Sequence, residues 1–90
     1  MSDESHDITD APRARAVLEH IIRSVVETPE VARVVAVPDG SDIRLDVHVD
    51  RADIGRVIGR RGRVAGAIRT VVRAAAVNDG CTVVVDFVEP

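Results

Sequence analysis

Val57-Ile58-Gly59-Arg60-Arg61-Gly62 lies between two segments of helical spacing and sets a glycine on each side of two arginines. Without a Cβ, glycine lets the backbone turn sharply and approach a ligand closely. The helix that follows aims its unpaired N–H groups at the same place. Two cations, a close backbone and a helix start together suit a phosphate.

Working outward, Asp50 caps a short helix with Ile54, Val57 and Ile58 on one face, and that helix stops at Gly59. Beyond the loop, Arg63 to Val77 resumes helical spacing through Val64, Ile68, Val71 and Ala75. Asn78-Asp79-Gly80 ends it with residues that tolerate positive φ. Strands bracket this helix pair. Ile43, Leu45, Val47 and Val49 alternate with Arg44, Asp46, His48 and Asp50, the pattern of a half-buried strand. The β-branched run Val31 to Val37 precedes it across Pro38-Asp39-Gly40-Ser41, so the two form an antiparallel hairpin. Thr82 to Val88 is the last strand. At the other end, Arg13 to Glu27 repeats Val17, Leu18, Ile21, Ile22, Val25 and Val26 at three and four, an amphipathic helix bounded by Pro12 and Thr28-Pro29.

The order is therefore α-β-β-α-α-β, with residues 1–12 as a flexible acidic tail and residues 13–90 as one domain. The helix pair is a crossover long enough to bring the third strand back parallel to the second. The spacing predicts an α+β domain: a three-stranded mixed sheet in chain order, covered on one face by three helices. Ile43, Leu45, Val47 and Val49 form the floor of its core, and Arg44, Asp46 and His48 face solvent.

Composition agrees with a packed domain, since 46% of the residues are apolar and most of these are Val, Ala and Ile. No apolar run approaches the roughly 20 residues of a membrane span, so a cytoplasmic protein without membrane insertion is expected. The single cysteine, Cys81, reads as a small, half-buried strand residue. The net charge of −3 is unevenly spread: residues 1–10 carry −4, whereas residues 51–73 carry +6. A basic region on an acidic body still attracts a polyanion locally.

A short helix ending in Val-Ile-Gly, two exposed bases, a glycine and a longer helix with Val64 and Ile68 resemble the K-homology (KH) signature. The element order resembles its type II, bacterial form. The run Gly-Arg-Val-Ile-Gly-Arg-Arg-Gly-Arg, followed by Ala67-Ile68-Arg69-Thr70 in so small a chain, further resembles the KhpA (YlqC-like) family of bacterial single-KH proteins.

The resemblance implies a single-stranded RNA-binding protein whose loop clamps the backbone of about four nucleotides. Carried over by position, Gly59 and Gly62 permit close backbone approach, and Arg60 and Arg61 project toward phosphates. Ile54, Ile58 and Val64 support an apolar groove for bases, and Arg56 and Arg63 flank the loop. Arg69 and Arg73 lie four apart on one helix face, where an RNA contact and a solvated face are equally open. Gly66 is read as a mid-helix glycine that is merely tolerated. The family also implies a KhpB/Jag-like KH-containing partner, possible homodimers, a post-transcriptional or RNA-chaperone role, and a link to cell-wall growth and cell shape. The alternative is an adaptor whose KH fold docks a partner that itself contacts RNA.

Enzyme chemistry has little support. Glycines 55, 59 and 62 make neither a dinucleotide fingerprint nor a nucleotide phosphate loop, and the chain has no lysine. His6, His20 and His48 have no Cys or carboxylate pattern around them that makes a metal site, and no cofactor is expected.

Overall fold

Ala14, Leu18 and Ile22 recur at intervals of four, and the helix they build, α1 (Pro12–Val25), turns them into the core. The computed structural model describes residues 10–89, so most of the expected tail lies outside the described residues. The other elements are β1 (Arg33–Asp39), β2 (Asp42–His48), α2 (Ile54–Ile58), α3 (Arg63–Ala76) and β3 (Thr82–Phe87). Single 3-10 turns, Arg51–Asp53 and Arg60–Gly62, precede α2 and α3, and a third, Val77–Asp79, follows α3.

The sheet has the order β1-β2-β3. β2 pairs antiparallel with β1, with Ala36 opposite Leu45, and parallel with β3, with Leu45 opposite Val85. Ile43, Leu45, Val47 and Val49 are buried together with Val34, Val83 and Val85, as the alternation requires. On the other face, the Arg44 guanidinium forks onto Asp46 at 2.8 and 3.2 Å. That hydrogen bond and the Asp46 charge raise the Arg44 pKa above its ordinary value.

Three expectations need correction. Pro38 belongs to β1, opposite Ile43, rather than to the turn. β1 is an edge strand, where the N–H that proline lacks is dispensable. On α3 the buried stripe is Ala65, Ile68, Val72 and Ala76, whereas Val71 is 49% exposed. Alanines carry half of that stripe, so the buried face is shifted about one residue from the Val64, Ile68, Val71 and Ala75 spacing. α1 ends at Val25 rather than Glu27, because the N–H groups of Glu27 and Thr28 go to the Asp53 carboxylate instead. Gly66 is exposed with no atom near the position of a Cβ, as expected of a tolerated glycine.

Long-range carboxylates complete the fold. Ala11, at the N-cap of α1, has no side-chain acceptor, and Asp79 supplies one. Its two oxygens accept the N–H groups of Arg13 at 3.0 Å and Ala14 at 2.8 Å.

Candidate nucleic-acid interface

The loop is made by two glycines with different tasks. Gly59 has φ 75° and ψ 173°, a region in effect reserved for glycine, and its N–H closes α2 onto Gly55 O at 2.9 Å. Gly62 has φ 72° and is the N-cap of α3, where it offers no capping side chain. Between them Arg61 also adopts positive φ, 58° with ψ 25°, a conformation that costs an L-residue roughly 1–2 kcal/mol. The Gly62 N–H bonds back to Gly59 O at 3.1 Å, so the four residues form a closed turn that throws both arginines outward.

Arg60, Arg61 and Arg63 are all exposed, and α3 has no acid in its first turn. Among the described residues no carboxylate lies within ion-pair distance of these three. Cations at a helix N-terminus oppose the macrodipole, an arrangement that an arriving anion relieves. Ile54, Ile58 and Val64 are half-buried and pack on the rim of the core, while Val57 anchors α2 inside it.

Arg69 and Arg56 are engaged elsewhere. Arg69 lies 5.2 Å from the centre of the Phe87 ring and donates from Nε to Val85 O at 3.4 Å, which holds it against β3. Arg73 is exposed. Arg56 reaches Glu27 Oε2 at 3.0 Å through Nη2 and Asp53 Oδ1 at 3.4 Å through Nε. The sequence reading missed Asp53, which is 1% exposed; its only signal was an acid three residues before Arg56.

A cleft of about 440 Å³ lies at the turn end of the sheet, lined by Pro38, Gly40, Ser41, Asp42, Ile43, Gly80, Cys81 and Thr82. It contains no residue of the Gly59–Gly62 turn. The cationic surface around the Gly59–Gly62 turn is the chemically distinctive one for a polyanion.

A helix–Gly-x-x-Gly–helix unit between β2 and a parallel β3, behind an N-terminal helix and hairpin, defines a KH domain of the type II order. A family model described as KhpA/KhpB, KH domain, matches residues 15–87, and the chain belongs to that family, which is not one of enzymes. An RNA-binding protein KhpA of Clostridium acetobutylicum is 42% identical over 74 residues, covering 82% of this chain and 99% of the relative. One from Leifsonia xyli subsp. xyli is 46% identical over 72 residues, covering 80% and 92%. One from Mycobacterium tuberculosis is 42% identical over 55 residues, covering 61% and 69%. No solved structure matches the chain significantly. Among the described residues no helix is long and apolar enough to cross a membrane.

Proposed function

We propose that this chain binds single-stranded RNA through the Gly59–Gly62 turn. The observation that carries the proposal is the cluster of Arg60, Arg61 and Arg63 around the uncapped start of α3, with no acid in its first turn. Relatives named as RNA-binding proteins support it. Arg60 and Arg61 contact successive phosphates, Gly59 and Gly62 let the RNA backbone come close, and Arg63 flanks it. Ile54, Ile58 and Val64 support the bases by aliphatic contact.

The one aromatic residue, Phe87, is engaged by Arg69, so base stacking on aromatics is not part of the site. Binding by one domain is accordingly weak and tolerant of sequence. Joining sites improves such binding. The proposal therefore includes a KhpB/Jag-like partner or self-association, in a cytoplasmic RNA-chaperone or regulatory role linked to cell-wall growth and cell shape.

The test is crosslinking to RNA in cells carrying Arg60→Asp with Arg61→Asp. Loss of crosslinks with an intact fold is expected, and unchanged crosslinking overturns the proposal. Val71, 49% exposed, and Val77, 75% exposed, favour the second reading, an adaptor that docks a partner which itself contacts RNA. That reading holds if the isolated chain shows no RNA shift at low salt yet co-purifies stoichiometrically with a second protein.

A further inference from the structure

Asp53 is a buried carboxylate at the joint between α1 and the loop-bearing helix α2. An unpaired buried charge is strongly destabilising, so its partners matter. Oδ1 accepts the Glu27 N–H at 3.0 Å and Oδ2 accepts the Thr28 N–H at 3.1 Å. Arg56 completes the arrangement by bridging Asp53 and Glu27. α2 has only five residues, too few to hold a direction by its own hydrogen bonds. Val57 anchors it in the core, and the Asp53 contacts add a tie between it and the end of α1.

We propose that Arg56 is a positioning residue for the loop, a forked bridge between Glu27 and Asp53, and not a phosphate ligand. The proposal rests on the RNA-binding reading above. A planar guanidinium suits the task because it engages two carboxylates at once, which a lysine ammonium on a flexible stem does far less well. A phosphate approaching Arg56 meets the charges of two carboxylates already paired with it, one of them inside the core.

The experiment is a salt series of fluorescence anisotropy with a labelled single-stranded RNA oligonucleotide of mixed sequence. Each phosphate neutralised on a single strand contributes about 0.7 to the slope of log K against log salt. Arg60→Gln is expected to lower the slope by about 0.7. Arg56→Gln is expected to weaken binding about three- to tenfold with the slope unchanged, the size of effect that remote contacts have. Arg56→Lys does not restore binding. Glu27→Gln alters an exposed side chain and leaves the fold intact; it weakens binding although it removes a negative charge.

Hydrogen exchange gives a second readout: in Arg56→Gln the Gly59 amide exchanges faster while the β2 amides are unchanged. A slope loss of about 0.7 in Arg56→Gln overturns the proposal. So does rescue by Arg56→Lys, or unchanged or tighter binding by Glu27→Gln. Absence of binding by the unaltered chain overturns this proposal and the RNA-binding reading together, whereas normal behaviour of Arg60→Gln with a slope loss at Arg56 overturns this one alone.

Discussion

A methyl group placed on Gly59 lies 2.7 Å from Val64 Cβ and 2.9 Å from Val64 N, so the first glycine of the loop is packed against the helix that the loop precedes. Gly62 has no atom within 4 Å of the same position and is constrained by φ alone. Gly62→Ala is therefore expected to lose about 1–2 kcal/mol of stability. Gly59→Ala adds the steric term and loses about 1–3 kcal/mol more. Urea denaturation of the two variants checks the difference, and equal losses count against the packing argument.

Arg61 holds positive φ at an exposed position, which makes it a local strain kept at the site. Arg61→Gly relieves roughly 1–2 kcal/mol of backbone strain against an entropic penalty of about 0.5–1 kcal/mol. A rise in melting temperature of a few degrees, together with weaker RNA binding, is the expected pair of results. A fall in melting temperature counts against stored strain.

The hairpin and the loop were legible because alternation in Ile43-Leu45-Val47-Val49 and the Gly59/Gly62 pair report on local backbone needs, and the crossover followed from the connection rule for parallel strands. Their agreement with the structure follows from that locality. What was not legible is non-local. Asp53 counts only toward local charge and Asp79 only toward the end of α3, since nothing nearby in sequence shows that each takes two backbone N–H groups more than twenty residues away. The buried stripe of α3 runs about one residue from the expected Val64-Ile68-Val71-Ala75 spacing, because valines and alanines stand on both sides of Ile68 and hydrophobicity alone does not choose between the two faces.

That misreading yields a direct comparison on α3. Val72 is fully buried and Val71 is not. Val72→Ala is expected to lose about 1–3 kcal/mol through the cavity it leaves. Val71→Ala stays within about 0.5 kcal/mol of the parent. Denaturation midpoints of the two variants decide between the two faces.

Burial pushes the Cys81 thiol above its ordinary pKa, with the charges of Asp79 and Asp10 adding to the shift. Less thiolate is then present at neutral pH, so iodoacetamide alkylates Cys81 more slowly in the folded chain than in urea. A folded-state value above the unfolded one contributes stability below the unfolded pKa, about 8.5, and loses it as pH rises through the folded value. Equal alkylation rates in the folded and unfolded chains argue against the shift.

Both ends of α1 are held by carboxylates from later in the chain. Asp79 binds its first N–H groups, and Asp53 binds those of Glu27 and Thr28 just beyond its last turn. A helix secured in this way is expected to consolidate late, because closing so long a loop has to come first. Asp79→Ala should lose about 1 kcal/mol at equilibrium. That loss should appear almost entirely as faster unfolding, with the refolding rate unchanged, and slowed refolding instead places the clamp in the folding nucleus. If the refolding rate is unchanged, the first helix in the chain is the last to settle, and until it does, Asp53 lacks the N–H partners that steady the base of the loop.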